Sequence, residues 1–176
     1  KLPITRSKPK MWGGTWGLSG SFYKCLKFAY ESNYPFLLFL EDDAFPNMTK
    51  KYFFFSFTKI AELFKKNIDT NNVYFLSFTR YCSQYCGETN QFINPVSDKK
   101  INGAHSILFT RKSIKNILDY IHKYKIDEPI DNYLNKLHKK HIINIKIWDG
   151  KISKSGMFCG MYDQLDTFCH SRKSVI

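Results

Sequence analysis

Acidic residues are scarce in this chain of 176 residues. Asp and Glu together number 15 against 27 Lys and Arg, so the formal net charge is +12. This excess favours polyanionic partners, although the Lys-, Asn- and Ile-rich composition of an AT-rich genome explains it equally well. Hydrophobic residues make up 43% and charged residues 24%, which is the composition of a folded domain and excludes disorder and collagen-like repeats.

Long apolar runs and paired cysteines are also lacking. The longest apolar runs, Phe36–Leu40 and Tyr52–Phe55, are far shorter than a membrane span. The five cysteines are irregularly spaced and form no Cys-x-x-Cys pair, which favours free thiols. The alternative is that Cys82 and Cys86, four residues apart, pair or bind a metal. The chain contains no Walker loop, no dinucleotide fingerprint and no Ser-His-Asp pattern.

Hydrophobic periodicity predicts alternating helices and strands. A glycine-rich turn at residues 13–20 precedes a predicted helix that Asn33, Tyr34 and Pro35 end. The other predicted helices cover about residues 47–66, 111–124 and 130–140. Predicted strands cover 36–40 (buried on both faces), 73–78, 105–110 and, half exposed, 142–148. Residues 80–102 and the tail from Lys151 are predicted to be loops. This alternation indicates an α/β sheet covered by helices, in a single domain over residues 1–176.

Three consecutive acids, Glu41, Asp42 and Asp43, follow the predicted strand Phe36–Leu40. Ligands of open α/β sheets bind beyond the carboxyl ends of strands, and three adjacent carboxylates repel one another unless a cation offsets their charge. Oxygen ligands of this kind suit Mg²⁺ or Mn²⁺ held together with phosphate oxygens. The alternative is a solvated acidic patch that pairs with nearby lysines.

A second acidic cluster surrounds Pro129, at the start of a predicted helix. Asp127 or Glu128 would cap that helix and suit its dipole. Asp131, one turn into the helix, would instead point into a cleft as a general base.

Five separated segments occur in an order that resembles the glycosyltransferases of family 25, which include lipooligosaccharide sugar transferases and collagen galactosyltransferases. They are Trp16–Gly20 before a helix, Tyr34–Ala44 with its Glu-Asp-Asp, Val73–Ser77, Gly103–Arg111 and Glu128–Leu134. The resemblance covers roughly residues 12 to 170.

This resemblance implies a GT-A-like fold, a mixed sheet flanked by helices, and a metal-dependent inverting glycosyltransferase. Such an enzyme moves a hexose from a nucleotide sugar, here a UDP-sugar, to a hydroxyl of a glycan, lipid-linked or protein acceptor. The implied site consists of Asp43 and then Glu41 as ligands of Mn²⁺ (or Mg²⁺), Asp42, Gly103 and Gln164 near the donor, and Asp131 as the general base.

The chain also departs from the family pattern. Gly20–Lys24 replaces the Cys-x-x-Ser-His of the first helix, and Gly103–Ser106 replaces Gly-Thr-x-Ala-Tyr. Nothing matches the first strand of the family, which helps to bind the nucleotide. We therefore expect either a fragment of a longer chain or a nucleotide that is held differently, and no uracil- or ribose-binding residue is assigned.

Other classes of function stay open at this point. A metal-dependent phosphoryl-transfer enzyme or nuclease would also use clustered carboxylates, but it needs a second acidic cluster that converges on the first. A basic nucleic-acid-binding module would account for the charge, but the lysines are dispersed, so no nucleic acid partner is expected. An inactive transferase-like scaffold is the fourth possibility. The default location is cytoplasmic or membrane-peripheral, with peripheral membrane contact suited to the positive charge.

Overall fold

The computed structural model describes residues 2–4, 13–42, 44–46, 58, 60–62, 65, 69–79, 89, 91–95, 100–103, 105–149, 158–160 and 162–164. Its helices are α1 (Gly13–Glu31), α2 (Arg111–Tyr124) and α3 (Ile130–Lys139). Its strands are β1 (Phe36–Leu40), β2 (Ala44–Pro46), β3 (Asn72–Phe75), β4 (Ser77–Thr79), β5 (Gln91–Ile93), β6 (Ser106–Thr110), β7 (Asn144–Asp149), β8 (Phe158–Gly160) and β9 (Tyr162–Gln164). Residues 58, 60–62 and 65 are also helical.

Five strands form one mixed sheet in the order β1-β6-β3-β7-β5. β3 and β7 are parallel, and the other neighbours are antiparallel. β1, β3 and β7 therefore end at the same edge of the sheet, which we call the carboxyl edge, where β5 and β6 begin. The predicted α/β fold, a sheet flanked by helices, is confirmed.

Two short strand pairs extend the fold beyond the carboxyl edge. β2 follows β1 and pairs with β9, while β4 follows β3 and pairs with β8, both antiparallel. β8 and β9, the described part of the tail, therefore lie beyond the carboxyl edge beside β4 and β2. The prediction of an irregular tail was therefore wrong for residues 158–160 and 162–164.

Alternate residues of the strands separate two hydrophobic layers. Side chains such as Val73 and Phe75 of β3 face α1, α2 and α3 and belong to the larger core cluster. Tyr74 and Leu76 point to the opposite face, where Ile60 of the helical residues packs with them. The sheet is thus covered on both faces, as strand periodicity requires.

α1 begins earlier than predicted, since the glycine-rich segment 13–20 is helical rather than a turn. Gly20 is buried, and a Cβ there would lie 3.4 Å from the Leu2 side chain and 3.9 Å from that of Ile4. A small residue lets the N-terminal segment pack against the helix, so tertiary contact outweighs the weak helix propensity of glycine.

The predicted end of α1 is confirmed, and its geometry explains it. Asn33 has a φ of 61°, Asn33 N donates to Tyr30 O (3.2 Å) and Tyr34 N donates to Ala29 O (3.0 Å). This pair of bonds is a Schellman motif with asparagine in the left-handed position. The rings of Tyr34 and Phe28 lie 6.1 Å apart and add the hydrophobic contact that accompanies the motif.

Several strand predictions need correction. β1 has the predicted bounds, but among the described strands it lies at the edge of the sheet; Leu40 is 41% exposed, so β1 is not buried on both faces. The strand predicted over residues 73–78 is divided into β3 and β4, and β5 lies inside the predicted loop 80–102. β6 and β7 confirm the two remaining strand predictions, with ends shifted by one or two residues, although the end of β7 is fully buried.

α2 has the predicted bounds, and α3 ends one residue early. The helix predicted for about 47–66 is helical wherever the structure describes it. Cys25 has a free thiol, while Cys82, Cys86 and Cys169 lie outside the described residues. No helix among the described residues is long and apolar enough to cross a membrane.

Tyr133 of α3 is fully buried, and its hydroxyl has no hydrogen-bond partner within the described residues. Burial, with smaller effects from Tyr120 and Asp127, raises the pKa of Tyr133 well above its ordinary value of 10.0. Above about pH 10 the unfolded chain releases this proton while the folded chain keeps it, so the free energy of unfolding falls as pH rises.

We expect Tyr133→Phe to flatten this alkaline loss by up to about 1.4 kcal/mol per pH unit between pH 10 and 11.5. Urea unfolding of wild type and variant across that range measures the difference. Tyr34→Phe, at a side chain that is 50% exposed, is the control and should follow wild type. If the free energy of unfolding falls with pH equally in wild type and Tyr133→Phe, the Tyr133 phenol has the same pKa in the folded and unfolded chains.

Candidate functional site

The carboxyl edge brings together polar residues from the ends of all five strands of the sheet. Glu41 follows β1, His105 precedes β6, Ser77 follows β3, Asp149 ends β7 and Thr89 precedes β5. Carboxyl ends of parallel strands are where α/β sheets place ligands. This edge is therefore the candidate site.

The acidic segment forms a tight turn at the end of β1. Ala44 N donates to Glu41 O (3.1 Å), and Glu41 N donates to His105 O (3.0 Å), which ties the turn to the residue before β6. The Glu41 side chain is half-buried and Asp42 is exposed, whereas Asp43, the first predicted metal ligand, lies outside the described residues. The expected position of the cluster at a strand end is confirmed.

The tail brings Gln164 back to this turn. In the β2–β9 pair, Gln164 lies opposite Ala44, directly after the acids. The sequence suggested Gln164 only through a loose family alignment, and strand pairing gives its backbone a place beside the predicted metal ligands. Its role in donor binding stays a prediction.

Asp131 contacts Gly103, which was predicted to lie near the donor. Gly103 N donates to Asp131 Oδ2 (3.2 Å), and Asn132 N donates to Asp131 Oδ1 (2.8 Å). Gly103 has a φ of 95°, a conformation that favours glycine, and the first turn of α3 favours a carboxylate through its dipole. A carboxylate offers about four acceptor positions, so each oxygen of Asp131 keeps one for another partner.

Asp127 and Glu128 do not cap α3, contrary to prediction. Pro129 occupies the cap position without a side-chain bond, and both carboxylates instead bind Lys136 Nζ, at 2.9 and 3.2 Å. Lys136 lies about one and a half turns into the helix, so both carboxylates lie along the side of α3 and not at its N-terminus. Partial desolvation lowers the pKa of Lys136, but hydrogen bonds to Asp127 and Glu128 and their charges outweigh it, so the pKa lies above its usual value.

One loop joins the two halves of the predicted site. Gly103 binds Asp131, and His105, two residues later, accepts from Glu41 N. Because two residues span at most about 7 Å, the Cα atoms of Gly103 and His105, which hold the base candidate and the acidic turn, lie within about 7 Å of each other. The sequence placed these residues in separate segments and did not predict the connection.

Asp149 is the site residue that sequence analysis missed. It is 4% exposed at the end of β7, and its carboxylate accepts from Thr89 Oγ1 and from Thr89 N (3.4 Å). The available signal was its position directly after the predicted strand 142–148, as Glu41 directly follows the predicted strand 36–40. Three strand spacings separate β7 from β1, or about 14 Å.

No group of three metal-binding side chains (His, Cys, Asp or Glu) occurs among the described residues. Glu41 and Asp42 are adjacent there, and the third acid of the segment is Asp43. The assignment of Mn²⁺ or Mg²⁺ to Asp43 and Glu41 therefore stays a prediction.

Comparison with known proteins assigns no family. A scan against protein-family models finds no match, and a search of curated proteins finds no similar sequence. The resemblance to family 25 rests on the five sequence segments alone.

Proposed function

We propose that this chain is a metal-dependent inverting glycosyltransferase that moves a hexose from a UDP-sugar to a hydroxyl of a glycan, lipid-linked or protein acceptor. One observation carries the proposal: the Glu41 turn and the Asp131–Gly103 contact are joined through one loop at the carboxyl edge. These are the metal and base segments that the family resemblance implies.

The chemistry of this arrangement supports a single displacement. Carboxylates in the acidic turn would hold Mn²⁺ against the diphosphate of the donor, and the ion would stabilise the charge that builds on the departing nucleotide. Asp131 would accept the proton of the acceptor hydroxyl as that oxygen attacks the anomeric carbon. Its remaining acceptor positions leave room for that bond, while Gly103 and Asn132 keep the carboxylate in place.

The phosphoryl-transfer alternative is less well supported. Two-metal enzymes hold their ions about 4 Å apart, which requires carboxylates that converge. Within the described residues, Asp149 is the other acid that ends a strand at this edge, and it lies about 14 Å from β1 across the sheet. Two such separated acids do not form one dinuclear site, and Asp131, the acid that the loop links to the Glu41 turn, already accepts from Gly103 N and Asn132 N.

Calorimetric titration with UDP and then GDP, with and without Mn²⁺, tests the proposal. We expect Mn²⁺-dependent binding of UDP by wild type and a loss of at least about tenfold in affinity for Asp43→Ala, because one anionic ligand of the cation is removed. Asp119→Ala is the matched control: Asp119 is an exposed aspartate of α2, paired with Lys115 at 2.7 Å, and its removal changes the net charge equally.

Binding of UDP that is equal with and without Mn²⁺, or equal in Asp43→Ala and Asp119→Ala, would contradict the metal assignment. A folded wild type that binds neither nucleotide would overturn the proposed function and favour the inactive scaffold. Circular dichroism of each variant confirms that it is folded before titration.

A further inference from the structure

The loop that joins the two halves of the site is held by one buried amide. Asn135 of α3 is 5% exposed, and Ile101, the residue that it contacts, is fully buried. Ile101 N donates to Asn135 Oδ1 (3.1 Å), and Asn135 Nδ2 donates to Ile101 O (2.7 Å). The side-chain amide thus pairs with both backbone groups of Ile101, as a neighbouring strand would.

The same amide also binds the helix turn that carries the base candidate. Asn135 Nδ2 donates to Asp131 O (2.7 Å), four residues earlier. Asp131 and Asn135 therefore share one face of α3, and the loop crosses that face with Ile101 at Asn135 and Gly103 at Asp131. Three hydrogen bonds, two at Ile101 and one at Gly103, fix the loop to the helix.

We propose that Asn135 is a positioning residue for Asp131. By fixing Ile101, it sets the point at which Gly103 N meets the Asp131 carboxylate, and thus the direction of that carboxylate relative to the Glu41 turn, which the same loop holds through His105. The inference rests on the proposed function, because its consequence for turnover requires Asp131 to act as the base.

Burial makes this role sensitive to substitution. Removing the amide leaves the N–H and C=O of Ile101 without their partner in a site that water does not reach, so the loop must shift to satisfy them. Gly103 then loses its fixed distance to Asp131. A shift of about 1 Å in a reacting group costs on the order of a hundredfold in rate.

Asn135→Leu tests the inference, and Asn116→Leu is its control. Asn116 is an amide of α2 that donates to Asn71 Oδ1 (3.0 Å) and Ile142 O (3.3 Å), near the amino end of β7 and thus at the opposite edge of the sheet. Both variants make the same chemical change in a half-buried or buried helix position. They differ in their distance from the candidate site.

The first measurement is amide hydrogen exchange at Gly103. We expect exchange to be at least about tenfold faster in Asn135→Leu and close to the wild-type rate in Asn116→Leu, because the bond to Asp131 opens more often in the first variant alone. Unchanged exchange at Gly103 in Asn135→Leu overturns the inference, whether or not the chain is a glycosyltransferase.

The second measurement separates positioning from general loss of structure. With Mn²⁺ and the UDP-hexose that wild type hydrolyses faster, UDP-glucose or UDP-galactose, we expect kcat of Asn135→Leu to fall at least about tenfold while the Kd of UDP changes less than about twofold. Asn116→Leu should keep the wild-type kcat below its unfolding temperature. Equal losses of kcat in the two variants overturn the inference.

Asn135→Asp decides the question if Asn135→Leu does not fold. It keeps the oxygen that accepts from Ile101 N and removes the two donated bonds, so the same exchange and kcat results are expected. A wild type that neither binds UDP nor releases it from the donor overturns the proposed function and the role in turnover. The exchange measurement then still shows whether Asn135 holds the loop.

Discussion

Replacing Phe22 by Ala is expected to lower the free energy of unfolding by about 3–5 kcal/mol. Phe22 of α1 is fully buried, and its ring lies 5.6 Å from the rings of both Phe39 and Phe109. It therefore joins α1 to β1 and β6, the two strands that carry the acidic turn and the loop end. Removal of the ring loses its transfer free energy and leaves a cavity that three elements border.

Phe28→Ala is the control for this prediction. Phe28 belongs to the same helix but is 65% exposed, so its removal should cost less than about 1 kcal/mol. Denaturant unfolding of both variants measures the two losses of unfolding free energy, with one common value for the dependence of that free energy on denaturant concentration. A loss below about 2 kcal/mol for Phe22→Ala would mean that the surrounding side chains collapse into the cavity.

The second large effect is expected for Thr110→Val, which should cost about 2–4 kcal/mol. Thr110 is fully buried between β6 and α2, and its Oγ1 accepts from Ser113 N (3.2 Å) as the helix N-cap. Its hydroxyl donates to the carbonyl oxygen of Thr70, 2.6 Å from Oγ1, and the carbonyl oxygen of Asn72 lies 3.2 Å from the same atom. Valine keeps the shape but removes both the cap and the hydrogen bond that Thr110 donates to the Thr70 carbonyl.

Thr110→Ser separates the hydroxyl from the methyl group. Serine keeps both the cap and the donated bond, so its cost should stay near the value for one buried methyl group, about 1 kcal/mol. Thermal and urea unfolding of the two variants provide the comparison. Equal destabilisation by Val and Ser would show that packing of the methyl group, rather than the hydrogen bonds, stabilises this junction.

Elements with local signals could be predicted from the sequence. α2 and α3 show apolar spacing of three and four residues, and both follow the bounds that this spacing predicts to within one residue. β5 and β9 could not be predicted, because three-residue strands have almost no pattern and form only when a distant partner is present. The start of α1 was missed for the same reason, since Leu2 and Ile4 pack on its glycine.

The candidate site divides in the same way. The position of Glu41 at a strand end follows from a local rule about sheets, so the acidic turn could be predicted. The Asp131–Gly103 bond, the amide of Asn135 and the buried Asp149 depend on which segments the fold brings together. An asparagine in a helix otherwise indicates only a polar side chain, and its hydrogen bonds to Ile101 follow from three-dimensional structure alone.

The pairing of β2 with β9 sets the order in which the site is completed during translation. The acidic turn and β1 leave the ribosome early, but Ala44 meets its partner Gln164 only when nearly the whole described chain has been made, on the order of ten seconds later. The five-stranded sheet, by contrast, has all its strands once β7 has been synthesised. A nascent chain therefore has its scaffold before it has its closed carboxyl edge, and the proposed activity requires that synthesis has passed Gln164.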